Sequence, residues 1–341
     1  MREFINLIFE GKTTSPWYVG KCVCGNQFYT RTDILWGRGV RGAVLRQLWR
    51  TYCHLSDIID RARFDPKKDC RSCDLRFECP FNALRGVDRK GDFKDTPKIV
   101  FTNLYFNGDI KTDWITIAPF DDRHRNIIRK RSAYIEYIKP GVNFYFEVIL
   151  TGRGIDFKNE IIRAVKTSLK FFGWGGFCNE GFGRGEIKRI EERNFDKFDA
   201  IISKISEEVF DNVKDYGLIK FKITPMLILE KKDNSPYLSI VEKGFKEKFL
   251  HSLVERYWQF YKDKKYPEIK EIFGETKRIR IRGWSRRDRR EQIFEGIGGE
   301  LTVEFSELDV DTAKVIAISK YGIGKYKNQG FGSLLLNSSL H

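Results

Sequence analysis

The sequence predicts an α+β protein built from two similar halves. Three observations carry this. A degenerate repeat of strand, acidic turn, helix, glycine loop and strand occurs twice. Each half also opens with an earlier strand and helix. The two glycine loops share one spacing, Gly-x-Gly, five residues, Gly-x-Gly, at Gly173 to Gly183 and at Gly322 to Gly332.

The first half begins with "EFINLIFE", a strand, followed by the helix "VRGAVLRQLWRTYCHL". Further on, Phe144, Phe146, Val148 and Leu150 alternate with Asn143, Glu147 and others, a strand period. Ile162, Val165, Leu169 and Phe172 then recur at helical spacing, which predicts one buried helix face. Residues 195–216 read as a charged helical linker. The second half repeats the order: "LIKFKITPMLIL" as strand, "KGFKEKFLHSLVERYWQFYK" as helix, and Leu301, Val303 and Phe305 alternating in a strand. A shorter helix starts near Asp309 or Asp311, both good caps, and runs to about Lys320. Each half therefore fits the split βαβ, ferredoxin-like (RRM-like) plan. The expected domains are 1–194 and 217–341, with a cysteine-rich insertion around 64–90.

A chain of 341 residues suits two domains. Its 32% charged and 41% hydrophobic residues are a soluble globular balance. No apolar run reaches the ~18 residues of a membrane span. "MREFINLIFEG" lacks the build of a signal peptide. The expected location is cytoplasmic, with no membrane partner. The formal net charge is +15, which attracts polyanions. Surface solubility is one explanation and phosphate neutralisation on nucleic acid the other. Clustering favours nucleic acid: eight Lys or Arg lie between Lys277 and Arg290, against one acid, Asp288. A second basic run spans Arg123 to Arg131. Trp284 and Tyr134 lie in or beside these runs and can stack on bases.

Seven cysteines in such a chain point to metal rather than disulfides. Cys70-x2-Cys73-x5-Cys79, with Cys53 as fourth thiolate, suits a closed tetrahedral zinc site of structural type. Cys22-x-Cys24 is the alternative donor, an iron–sulfur cluster the alternative occupant, and unliganded thiols the bland reading.

The glycine loops are not phosphate loops of the usual kind. There the strand precedes the loop and a helix follows, so that phosphate meets a helix N-terminus. Here the helix comes first. Counting a dinucleotide fingerprint from Gly322 puts its third glycine at Lys327. One reading is structural: the first glycine caps a helix and the others allow sharp turns. The other is that bare backbone at Gly322, Gly324, Gly330 and Gly332 lets a ligand approach, with Lys325 and Lys327 meeting phosphate. Only the second loop carries two lysines, so the first is expected to be the more nearly structural turn.

Three stretches carry a family likeness: "RGVRGAVLRQLWRTYCHL" with the following "CRSCDLRFECPF", the basic "RGWSRRDRREQIFEGIGGEL", and the terminal "YGIGKYKNQGFGSLLL". With them the chain resembles the RAMP superfamily of CRISPR-associated RNA-binding proteins, and within it the CRISPR precursor-RNA processing endoribonucleases, the sixth Cas family. The resemblance implies cleavage of repeat RNA without a catalytic metal. The substrate's 2′-hydroxyl attacks the adjacent phosphate, leaving a 2′,3′-cyclic end, with base, acid and a cation supplied by the protein. It implies that His54, after the first helix, moves the proton, with Tyr52 nearby and Lys325, Lys327 or Tyr321 assisting from the glycine loop. Among the four histidines, His124 sits among arginines as a phosphate binder, His251 lies within an amphipathic helix, and His341 is terminal. Arg282, Arg286, Arg287, Arg289 and Arg290 are the expected phosphate contacts. The alternatives are a non-catalytic RAMP subunit of a CRISPR effector complex and a zinc-containing RNA-binding module of another family.

Overall fold

The structure, a computed structural model, describes residues 4–53, 70, 73–84, 89–90, 93–94, 97–118, 120–121, 126–127, 132–285 and 290–336. The first half carries β1 (Phe4–Thr13), β2 (Gly20–Cys24), β3 (Gln27–Thr30), β4 (Ile34–Leu35), β5 (Ile99–Phe101), β6 (Leu104–Asn107), β7 (Thr112–Ile117), β8 (Ala133–Ile138), β9 (Asn143–Thr151) and β10 (Gly185–Arg193). Its longer helices are α1 (Gly37–Tyr52) and α2 (Lys158–Thr167). Helix α3 (Phe195–Tyr216) connects to the second half, with β11 (Leu218–Leu227), α4 (Phe245–Tyr261), β12 (Ile269–Phe273), β13 (Thr276–Ser285), β14 (Arg290–Phe305), α5 (Val310–Ala317) and β15 (Ser333–Leu336).

Both principal sheets are antiparallel and share one order. In the first, β10-β1-β9-β6-β4 lie side by side with β5 also on β9. In the second, β12-β14-β11-β15 do so with β13 also on β14. In each, the last strand flanks the first. The mixed α+β class predicted from periodicity is present.

The first core follows from the alternation of β1 and β9. Leu7, Phe9, Phe146 and Val148 point to α1 and α2, where Val40, Val44, Leu48, Ile161 and Val165 meet them. The Phe9 and Phe146 rings stack at 4.9 Å. The second core joins Ile219, Phe221, Leu301 and Val303 to Phe249, Leu253, Val315 and Ile316. Phe4, Val100 and Ile149 of the first half belong to it as well, so the halves share apolar packing.

Helix α3 is more than a linker. Asn194 caps it, accepting from the Lys197 amide at 3.1 Å, and Phe198, Ile202 and Val209 are buried in the second core. Helix α5 opens with a capping box between Asp309 and Thr312 and continues as a 3₁₀ turn to Tyr321, as predicted. The end of α2 departs from prediction. Ser168–Phe172 winds as a π-helix, whose wider turn keeps Leu169 buried but swings Phe172 outward.

A third sheet, β2-β3-β8-β7, has no counterpart in the sequence reading. Its inner residues Phe28, Ile135 and Tyr137 pack on Tyr18, Phe177 and Phe182, covering the first glycine loop.

Candidate nucleic-acid interface

The two glycine loops are the same joint built twice. Phe177 and Tyr326 both sit at positive φ, 55° and 60°. The Trp174 amide donates to the Gly183 carbonyl at 2.8 Å and the Ile323 amide to that of Gly332 at 3.0 Å. Each loop then clips onto the chain at or just past the end of its sheet's first strand. Gly176 and Gly183 donate to Tyr18 and Pro16, while Lys325 and Gly332 donate to Ile228 and Met226. In the second loop Gly322, Gly324, Gly330 and Gly332 are required by this close packing rather than by a ligand. A Cβ at Gly330 would lie 2.2 Å from Asn103 Oδ1, and one at Gly332 would lie 2.2 Å from the Ile323 carbonyl oxygen. The expectation of bare backbone open to a ligand does not fit these contacts.

The second loop also joins the halves. Asn103, between β5 and β6, donates to the Gly330 carbonyl at 2.8 Å and accepts from the Gly37 amide at 2.9 Å, at the start of α1. Underneath, Arg256 of α4 is fully buried. It donates to Asn328 Oδ1 at 2.9 Å, to Gln259 Oε1 at 3.0 Å and to the Tyr321 carbonyl. Burial lowers its pKa to about 9, which leaves the guanidinium charged at neutral pH. The Tyr321 hydroxyl donates to Glu147 Oε2 at 3.0 Å, and Asn6 donates to the same oxygen at 2.6 Å. Burial first, then the Glu147 charge, push the Tyr321 pKa well above its ordinary value. Tyr321 is thus a locked core group.

The two loop lysines are not equivalent. Lys327 is 4% exposed and paired with Glu255, so phosphate reaches it only by breaking that buried pair. This placement opposes the phosphate role expected for it. Lys325 is partly exposed and pairs with Glu230. It lines a cavity of about 300 Å³ with Tyr326, Phe294, Arg280 and Glu295.

The basic run forms the β13–β14 hairpin, paired from Thr276↔Gly299 to Ser285↔Arg290. Ile279 and Ile281 pack on the apolar cluster around Phe294 and Phe331, while Arg278 and Arg280 reach Glu295 at 3.0 and 3.2 Å. Arg282 lies in β13 and Arg290 opens β14, but their side chains are outside the described residues, as is that of Trp284. Arg286, Arg287 and Arg289 fall outside altogether, as do His54, His124 and His341. His251 is on the exposed face of α4.

At the other end of α1, Arg163 donates to the Tyr52 hydroxyl at 3.5 Å. Helix α1 has 16 residues and so spans roughly 24 Å. Its start holds the second glycine loop and its end holds Tyr52. The structure therefore does not gather Tyr52 and Lys325 into one site. Arg163 was missed because nothing in the sequence links position 163 to position 52.

Cys53 and Cys70 are buried in the first core, and Cys79 packs against it. Among the described residues no group of three or more His, Cys, Asp or Glu is arranged to hold a metal ion. Cys22 and Cys24 are exposed on β2. Among the described residues no helix is long and apolar enough to cross a membrane.

The family model of the RAMP superfamily matches residues 11–186, and the chain belongs to that superfamily. No curated protein sequence matches it. Among solved structures it is similar to a Type III-B Cmr-beta complex bound to cognate target RNA, at 14% identity and a TM-score of 0.36, covering 56% of this chain and 61% of that one. It is also similar to two Cas6 product complexes. One is at 9% identity and a TM-score of 0.42, covering 98% of this chain and 100% of the other; the second is at 10% and 0.41, covering 98% of each. At such scores the functional reading rests on the family match and on the chain's own residues.

Proposed function

We propose that this chain binds CRISPR repeat RNA and cleaves it without a catalytic metal, yielding guide RNAs. The observation that carries the reading is membership of the RAMP superfamily across residues 11–186. The net charge of +15 and the arginine-rich β13–β14 hairpin support it. The matching order of the two sheets supports tandem ferredoxin-like halves, 1–194 and 217–341, joined through α3.

In this reading Arg282, Arg286, Arg287, Arg289 and Arg290 hold phosphates, and Lys325 faces RNA from its cavity. Chemistry is assigned to the end of α1. His54 takes the 2′-hydroxyl proton, the 2′-oxygen attacks phosphorus, the bond to the 5′-oxygen breaks, and that oxygen is protonated as it leaves. Tyr52 and Arg163, whose side chains meet, are assigned to hold the charged phosphate. Cys53, Cys70, Cys73 and Cys79 are our candidates for a structural zinc site on their spacing alone; Cys53 and Cys70 are buried in the same core, but among the described residues the four are not gathered into a ligand set. Elemental analysis is expected to give one zinc per chain; neither zinc nor iron disposes of that assignment.

One observation favours a second reading, a non-catalytic RAMP subunit of a CRISPR effector complex. Lys325 and Tyr52 belong to opposite ends of α1, so the candidate groups do not converge. Labelled CRISPR repeat RNA incubated with the protein in EDTA separates the two. The proposal expects a product with a 2′,3′-cyclic phosphate, lost in His54→Ala. Tight binding without cutting at any pH leaves the effector subunit.

A further inference from the structure

The π-helical turn at the end of α2 leaves Phe171 60% and Phe172 47% exposed. Two adjacent phenylalanines turned to solvent need a reason, since burying each would stabilise the fold. Their surroundings supply one. The Arg50 guanidinium lies over the Phe172 ring at 4.9 Å, and the Lys170 ammonium near the Phe171 ring at 5.4 Å. Arg163 and Lys166 line the exposed side of the same helix, and all four cations are exposed. Among the described residues none of the four has an ion-pair partner, whereas Lys158, Lys231, Lys265, Lys270, Lys325 and Lys327 do.

Aromatic faces interleaved with unpaired cations match one kind of partner. A single-stranded nucleic acid offers flat bases and negative phosphates in alternation. An apolar protein surface would satisfy the rings but leave the four cations stripped of water. We propose that Phe171 and Phe172 stack bases of single-stranded RNA while Arg50, Arg163, Lys166 and Lys170 neutralise its phosphates. This rests on the RNA-binding reading above and extends it: the strand that passes Tyr52 is unpaired there. Arg163 touches both elements, through Tyr52 and through its place on α2.

The test uses the full chain and a fluorescein-labelled, mixed-sequence, single-stranded 20-nucleotide RNA, read by fluorescence anisotropy. The Phe171→Ala/Phe172→Ala double variant is expected to bind at least tenfold more weakly, with an unchanged slope of log affinity against log salt. Phe171→Trp/Phe172→Trp is expected to keep wild-type affinity, since it keeps the stacking faces. Lys166→Gln/Lys170→Gln is expected to flatten the salt slope by about 0.7 for each charge. An alanine double variant with unchanged melting temperature and wild-type affinity overturns the proposal. The same result with loss of binding to another effector subunit reassigns the patch to protein docking. If the wild-type chain binds no RNA, the proposal falls together with the reading beneath it.

Discussion

The two glycine loops share spacing, left-handed positions and backbone hydrogen bonds, yet they do different work. The first is covered by its own half: Tyr18, Phe28 and Ile135 close over Phe177 and Phe182. The second faces the other half, and its Gly330 carbonyl is held by Asn103. Beneath it lie a buried arginine and a buried lysine pair. The lesson is that a repeated backbone motif states a joint, while its neighbours decide what it joins. The lysines that made the second loop look like a phosphate site belong, in the case of Lys327, to the joint itself.

Removing Arg256 should damage this joint most. Arg256→Met strips donors from Asn328, Gln259 and the Tyr321 carbonyl, and unsatisfied buried acceptors cost about 1–3 kcal/mol each, so a loss of roughly 4 kcal/mol is expected by denaturant unfolding. A loss under about 1 kcal/mol would mean that the loop does not depend on it.

A sharper comparison sets Gly330→Ala against Gly181→Ala, the same position in the two loops. Both have positive φ, 82° and 88°. An added Cβ meets nothing within 4 Å at Gly181 but lies 2.2 Å from Asn103 Oδ1 at Gly330. Gly181→Ala should cost about 1 kcal/mol of backbone strain, and Gly330→Ala about 3 kcal/mol. Equal losses would erase the proposed difference between the loops.

Asn103→Ala should cost about 2 kcal/mol, because it unpairs the Gly37 amide and the Gly330 carbonyl. It should also relieve the clash in Gly330→Ala, so the double variant should be less destabilised than the sum of the singles, by about 1 kcal/mol. Strict additivity would place the Gly330 cost elsewhere.

Within the second joint itself, the smallest effect is expected at Tyr321. Tyr321→Phe removes the hydrogen bond to Glu147 and should cost about 1.5 kcal/mol. The raised pKa of this buried phenol means that the folded state keeps its proton longer than the unfolded chain. Its contribution is therefore fully present below the unfolded pKa and is lost as pH rises through alkaline values. Wild type should lose stability faster than Tyr321→Phe above a pH of about 10. Parallel curves would show that the phenol binds its proton equally in the folded and unfolded states, against the raised folded-state pKa.

The α+β class and the shared geometry of the two glycine loops were legible because periodicity and glycine spacing are local. Phe146, Val148, Leu301 and Val303 alternate, and caps such as Asp309 sit beside the helices they start. The failures were long-range or conformational. Lys327 looked free because Glu255, its partner, is 72 residues away. Phe172 looked buried because helical spacing assumes an unbroken α-helix, and the π-turn shifts its face. The covering sheet went unread because "GKCVC" is exposed throughout and β3 pairs in parallel with the distant β8. Arg163 beside Tyr52 is a meeting of two helices that no local pattern encodes.

The central claim is that the second glycine loop is architecture and that RNA is held by exposed cations away from Lys327. The most direct test is the salt dependence of binding to the labelled single-stranded RNA, comparing wild type with Lys327→Met/Glu255→Met, which removes both members of the buried pair. The account predicts that both bind with the same affinity and the same slope of log affinity against log salt. A variant that stays folded but has a slope flatter by about 0.7 would contradict it, because Lys327 would then contact phosphate directly.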